Sequence, residues 1–219
     1  MRFVRRHILT VAAFVVLVYL FIPIAVVGAL SFNDPPSKYN TKWYGFSLDA
    51  WTNMCGIPGV CESFIESIKI GLISTFVATV LGTMVAFALV RYRFRGRKTT
   101  NLLIFLPMAT PEVVMGSSLL ALFLNMTFPL GSTTVIIAHI MFTISFVVVA
   151  VKARLQGLDP SLEEASRDLY ADSRATFQHV TFPLVAPGIA GAALLGFALS
   201  FDDFIISFFN AGTLVTFPI

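Results

Sequence analysis

The feature that most constrains this chain is a series of apolar runs, each about as long as a membrane is thick. From Ile8 to Leu30 there is no charged residue, and similar runs cover approximately 68–90, 102–124, 134–151 and 184–209. A hydrocarbon core about 30 Å thick is spanned by about 20 helical residues. Within it the backbone must satisfy its own N–H and C=O groups, which favours helices. The runs therefore predict an all-α integral membrane protein, a polytopic helical bundle of five spans read as one transmembrane domain over 1–219. Only 12% of the residues are charged and 57% are hydrophobic, whereas a soluble domain carries about a quarter charged residues. A signal peptide has an apolar core of roughly 7–15 residues and a small-residue cleavage site. The first run is longer and lacks such a site, so it reads as an uncleaved span kinked at Pro23.

Charge fixes the orientation. Arg2, Arg5 and Arg6 precede the first run, RYRFRGRK fills 91–98, and the remaining basic residues concentrate in 152–174. These segments alternate with a loop from Ser31 to Ser67, where Asp34, Asp49, Glu62 and Glu66 face Lys38 and Lys42, and with an uncharged turn from Asn125 to Thr133. Cytoplasmic loops collect Lys and Arg, so the N-terminus is expected in the cytoplasm and the residues after Asn210 outside. In the acidic loop, Trp43, Tyr44 and Trp51 suit the membrane interface, and SLDAW reads as a short helix capped by Ser47. Cys55 and Cys61 lie in the same loop; a local disulfide and two separate thiols are both compatible with the spacing. Gly71 and Gly82 allow close helix contact in the second span, as do Gly188, Ala192 and Gly196 in the fifth. The latter face packs either within this chain or against a partner.

Gly157 to Pro187 is the one long polar stretch in the C-terminal half. Asp159 or Ser161 can cap a helix, with Pro160 in its first turn, and Ser161 to Tyr170 favours helix with its acidic residues early. A second helical piece is expected from Ser173 to Val180, ending before Pro183. A handful of residues suffices to connect two spans, so the coupling loop of 152–183 reads as a docking surface.

Three acidic residues fall inside the runs. Glu112 follows Pro107 and Pro111 near mid-depth, and Asp202 and Asp203 lie toward the outer end of the fifth run. A carboxylate at the bilayer centre costs about 2.5–3.5 kcal/mol on insertion scales, so such groups face a cavity or a partner. They are candidates to line a route for a cationic amine, with polar groups of a partner subunit as the alternative. His139 reads as an interhelical hydrogen-bonding residue rather than a ligand. Asp202 and Asp203 would diverge by about 100° on a helix, unlike paired catalytic carboxylates. There is no Gly-x-Ser-x-Gly, no His-Glu-x-x-His and no phosphate-binding Gly-x-x-x-x-Gly-Lys-Ser/Thr. No catalytic residue, metal site or cofactor is therefore assigned to the chain, and a membrane enzyme is the weaker reading. An anchor or assembly protein leaves the intramembrane Glu112 without a purpose. No basic tract interleaved with aromatics points to nucleic acid.

Glu164-Ala165-Ser166, Ala171, Phe177 and Phe182-Pro183 resemble, without a gap in spacing, the EAA loop of binding-protein-dependent ABC importer permeases. Three positions depart: Ser166 replaces the second Ala, Phe182 replaces Leu, and Tyr170 stands where the pattern has Gly. Gly there permits positive φ that Tyr adopts only at a cost, so the turn between the two short helices stays open. The IPI and SFN segments, RYRFRGR, LPMATPEVVMGSSLLALF and LSFDDFIISFF are similar to the permeases of spermidine/putrescine importers. That resemblance implies a multi-pass subunit of the bacterial inner membrane, half of a polyamine pathway. It further implies a second permease subunit as heterodimer partner, an ATPase dimer that binds ATP and Mg, an extracytoplasmic substrate-binding protein, and a sixth span beyond position 219. Glu163, Glu164, Ala165, Arg167, Asp168 and Ala171 become candidates for coupling to the ATPase. An importer of another cation or amine is the alternative.

Overall fold

A computed structural model of the chain describes residues 2–37 and 39–219, with side chains from residue 7 onward. Lys38 and the side chains of Arg2, Arg5 and Arg6 lie outside the described residues. The elements are helical: α1 (Arg2–Leu30), α2 (Asp49–Thr52), α3 (Val60–Arg91), α4 (Arg97–Ala109), α5 (Glu112–Asn125), α6 (Ser132–Gln156), α7 (Ser161–Asp168), α8 (Ser173–Thr176), a π-helical turn (Phe177–Thr181), α9 (Phe182–Asp202) and α10 (Ile205–Asn210). By packing, the chain divides into two compact units, 1–61 and 62–219.

The first unit holds α1, which continues through Pro23. Its large aliphatic and aromatic side chains are exposed all round, as suits a helix apolar on every face. The loop after it is organised by buried Asn33. Its amide donates to Asn40 Oδ1 and to the Lys42 carbonyl, both at 2.6 Å, and its Oδ1 accepts from Tyr44 N at 2.7 Å. Phe32 stacks on Phe46 and Trp51. Ser47 Oγ accepts from Asp49 N at 3.1 Å, though the helix it precedes is a single turn. Cys55 and Cys61 form a disulfide with Cα atoms 5.3 Å apart, which settles the alternative the spacing left open.

The second unit is the bundle. Small residues let its helices approach closely, because association in lipid depends on packing rather than on the hydrophobic effect. A Cβ at Gly82 of α3 would lie 2.7 Å from Val147 Cγ1 on α6, and one at Gly196 of α9 would lie 2.6 Å from Thr143 Cγ2. The Gly188–Ala192–Gly196 face thus packs on α6 of the same chain. Ala86, Leu89, Val147, Val148, Val151 and Val185 close one part of the core; Met115, Leu119, Phe123, Ala138, Phe142 and Ile206 close another.

Two expectations need correction. The run 102–124 is two helices, α4 and α5, bent by 108°. Pro111 drives the residue before it out of the helical region: Thr110 sits at φ −86°, ψ 134° and ends α4. Pro107 is accommodated inside α4. The second correction concerns the segment before Pro183, which does not end there. From Ser173 a helical path of 30 residues continues to Asp202, passing through the π-helical turn, where Phe182 N bonds to Phe177 O. A Pro ring clashes with the carbonyl four residues before it, and the wider turn relieves that crowding. The path then breaks inside the fifth apolar run, at Asp203 (φ −75°, ψ 110°), before α10.

Candidate functional site

The polar stretch folds as two short helices around a tight turn. Ser161 N donates to Asp159 Oδ1 at 2.9 Å, and this backbone bond, with the Ser161 hydroxyl, holds the Asp159 carboxyl below its ordinary range. At the other end of α7, Tyr170 N donates to the Arg167 carbonyl and Ala171 N to the Ser166 carbonyl. Those paired bonds close a Schellman motif, whose C′ residue adopts the left-handed conformation usual for Gly. Here that residue is Tyr170, at φ 59°. The turn the sequence left open therefore keeps the glycine geometry, and Tyr170 accepts the strain with its side chain 98% exposed. Ser166, a departure from the motif, is buried and its hydroxyl bonds Thr176 Oγ1 at 2.7 Å. That bond joins α7 to α8, an anchoring role an Ala cannot fill. Asp172 caps α8 by accepting from Ala175 N at 2.7 Å.

Not all the coupling candidates face outward. Glu164, Ala165, Arg167 and Asp168 are exposed and Ala171 is half-buried. Glu163 turns inward: Arg91 Nη1 donates to its Oε2 at 2.7 Å, Arg91 Nη2 donates to its Oε1, and Thr181 Oγ1 donates to Oε1 at 2.7 Å. Burial pushes the Glu163 carboxyl up. The bonds from Arg91 and Thr181, with the charges of Arg91 and Arg167, outweigh that effect and hold it below its ordinary value. Glu163 thus ties α7 to the end of α3. Sequence reasoning missed Arg91 as the anchor, since RYRFRGRK reads only as positive charge. It also missed Leu162 (45% exposed), in the first turn of α7, and Leu169 (82% exposed), next to Tyr170 in the turn, as exposed apolar side chains. Between α3 and the π-helical turn lies a cavity of about 640 Å³, lined by Thr83, Phe87, Arg91, Glu163, Phe177 and Phe182 among others.

At the break between α9 and α10, Glu112, Asp202 and Asp203 line one cavity of about 480 Å³. Its other walls are apolar, from Phe142, Leu195, Leu199, Phe204 and Ile205 among others, and among the described residues no Lys or Arg lines it. The three residues converge because both helix breaks meet there. Pro111 starts α5 at Glu112, and the non-helical Asp203 swings its side chain back over α10. Asp203 Oδ1 accepts from Ile206 N at 3.4 Å and Oδ2 from Ser207 N at 3.2 Å, an N-cap arrangement. The expected divergence of Asp202 and Asp203 on one helix does not apply, since Asp203 lies outside it. Asn210 Nδ2 donates to the Gly116 carbonyl at 3.3 Å and fastens α10 to α5. His139 is buried and bonds other helices, with its ring nitrogens 2.6 Å from Ser200 Oγ and 3.1 Å from Ser207 Oγ.

The family model for the binding-protein-dependent transport system inner membrane component matches residues 78–216. The chain is 35% identical over 199 residues to the spermidine/putrescine transport system permease protein PotC of Haemophilus influenzae, covering 91% of this chain and 77% of that protein. It is 34% identical over 201 residues to the putrescine transport system permease protein PotI of Escherichia coli K12, covering 89% of this chain and 71% of that one. Among solved structures, a bacterial ABC transporter that imports the acidic polysaccharide alginate superposes with a TM-score of 0.66 at 16% identity, over 98% of this chain and 77% of that chain. An amino acid ABC transporter does so with a TM-score of 0.62 at 15% identity, over 79% of this chain and 80% of that chain. The last two comparisons speak for the fold.

Proposed function

Because this chain belongs to the binding-protein-dependent transport system inner membrane component family and is an ABC importer permease, we propose that it forms half of a pathway for polyamines. The observation that carries the reading is the cavity at the α9–α10 break. Three carboxylates line a cavity whose other walls are apolar and which, among the described residues, no Lys or Arg lines. Such a lining favours a multivalent ammonium ion, because carboxylates at membrane depth take a cationic partner. The names of the relatives support spermidine and putrescine as the solutes, and another amine or cation would use the same chemistry.

The remaining parts follow from the family and the charge pattern. A second permease subunit completes the pathway as a heterodimer, and an extracytoplasmic binding protein delivers the solute. Two copies of a separate ATPase bind ATP and Mg. The basic segments place the N-terminus and the α7–α8 loop in the cytoplasm of a cell with this subunit in its inner membrane. There Glu164, Ala165, Arg167, Asp168, Leu162, Leu169 and Tyr170 present the docking surface. Glu163 braces it from behind through Arg91, so that movement of the ATPase is passed to α3 and, through the Gly82 contact, to α6. Ala171 sits at the foot of the turn.

The test is reconstitution of all four components in proteoliposomes. Glu164→Lys is expected to cut both binding-protein-stimulated ATP hydrolysis and spermidine uptake by about tenfold or more, in line with loss of a charged interfacial contact, while the permease pair still assembles. Hydrolysis and uptake at the wild-type level would refute the docking role.

A further inference from the structure

A chain of buried polar side chains runs from the acidic cavity into the centre of the bundle. His139 is 1% exposed. Its Nε2 lies 3.2 Å from Asp203 Oδ2 and 3.1 Å from Ser207 Oγ, and its Nδ1 lies 2.6 Å from Ser200 Oγ. Ser200 Oγ is 3.0 Å from Ser74 Oγ on α3, and Ser74 Oγ donates to the Ile70 carbonyl at 2.7 Å. Four helices, α3, α6, α9 and α10, contribute to this line. Asp203 is its only member that lines the cavity.

The Ser74 hydroxyl donates to the Ile70 carbonyl. With that hydrogen so placed, Ser200 donates to Ser74 and accepts from His139 Nδ1–H. The remaining nitrogen, Nε2, meets a carboxylate. With a proton there the imidazolium bonds Asp203 Oδ2 and neutralises it. Without one, the Ser207 hydroxyl turns its hydrogen onto Nε2, and Asp203 keeps a full negative charge held by the backbone N–H groups of Ile206 and Ser207. Both states leave Ser74, Ser200 and His139 with partners.

We propose that His139 is a positioning residue that sets the charge of the acidic cavity, so that a proton on its Nε2 and an ammonium group in the cavity exclude one another. The inference rests on the cation-path reading of that cavity. When the amine arrives, the Nε2 proton leaves through Asp203 Oδ2 to cavity water, and Asp203 pairs with the amine; when the amine departs, a proton returns. Asp203 is the titratable side chain within bonding reach of His139. Asp202 on α9 and Glu112 on α5 face the same cavity, and α3 and α10 bring hydroxyls, Ser74 and Ser207, to the line. The proton thus exchanges with one ammonium at one of three carboxylates.

Spermidine uptake into proteoliposomes holding the full complex is measured from about pH 8 down to about pH 5 for the wild type and for His139→Gln. The Gln amide keeps an uncharged donor toward Asp203. Because both complexes share the same ATPase and binding protein, the ratio of Gln to wild-type uptake isolates position 139. The ratio is expected to start near one and to rise at least about threefold toward the acid end. A ratio flat with pH overturns the proposal and leaves His139 a structural hydrogen-bonding residue. Asp202→Asn with Glu112→Gln separates the two readings. If uptake at alkaline pH is unchanged by those substitutions, the cation path itself fails. If it is lost while the ratio stays flat, only the role of His139 fails. Should the Gln protein not assemble, ring-¹⁵N-histidine spectra of the wild-type complex in nanodiscs answer the same question at fixed pH. Added spermidine is expected to move the His139 resonances from imidazolium toward neutral, and an unmoved spectrum overturns the proposal.

Discussion

At the scale of single residues, the docking loop is held by two unlike devices, strain at Tyr170 and an ion pair at Glu163. A left-handed non-glycine residue costs about 1–2 kcal/mol, and a glycine loses about 0.5–1 kcal/mol in chain entropy. Tyr170→Gly is thus expected to stabilise the turn by about 1 kcal/mol or less, seen as slower hydrogen exchange at Leu169–Ala171 in the isolated chain. It should weaken ATPase docking at the same time, since the exposed ring is part of the proposed surface. The geometry of that turn was legible in the motif, but not whether a Tyr would adopt it. Sterics raise the energy of the conformation without forbidding it, and only the folded bonds to Ser166 and Arg167 show which side wins. Glu163 is the reverse case. Its spacing on α7 suggested an outward contact, and only the position of Arg91, far away in sequence, shows that it points inward. Losing charged hydrogen bonds of this kind costs about 1–3 kcal/mol, so Arg91→Ala should speed exchange across α7 and α8. The pair also has a sign in pH. Glu163 titrates lower folded than unfolded, so its stabilisation is complete above the ordinary value of 4.5 and is lost as pH falls through the folded value. Protection of α7, corrected for the intrinsic exchange rate at each pH, should therefore fall on acidification below about pH 4.5 in the wild type. It should change far less in Glu163→Gln.

At the scale of elements, existence and approximate extent were legible because lipid demands long apolar helices, whereas their breaks were not. Pro107, Pro111, Pro183 and Pro187 look alike in the sequence. α4 absorbs Pro107 and α9 absorbs Pro187, Pro111 bends the chain by 108°, and Pro183 is taken up by a π-helical turn. What separates them is tertiary: α5 turns away to pack on α10 through Gly116 and Asn210, while α9 is tied to α6 where Arg154 Nε donates to the Leu184 carbonyl at 2.9 Å. The glycine faces were visible as small residues in helical register, but not their partners. Gly82 meets Val147 on α6, with no room for a Cβ. Gly82→Val is expected to cost about 1–3 kcal/mol by overpacking, measured as a lower melting temperature of the detergent-solubilised chain. Gly191, which meets nothing within 4 Å, should tolerate the same change.

At the scale of the whole molecule, the proposed function couples a docking loop between α6 and α9 to an acidic cavity at the break of α9. The three acidic residues of that cavity were legible individually, as carboxylates where lipid penalises charge. Their convergence was not, because it depends on the bend at Pro111 and on Asp203 leaving the helix to cap α10. The most direct measurement is the rate of ATP- and binding-protein-dependent spermidine uptake by proteoliposomes carrying the complete complex, compared between wild type and the Glu112→Gln, Asp202→Asn double variant. Loss of about 2 kcal/mol or more of cation stabilisation at a site of this kind predicts a fall of at least about tenfold, with the complex still assembled. Wild-type uptake in the double variant would contradict the claim that this cavity carries the amine.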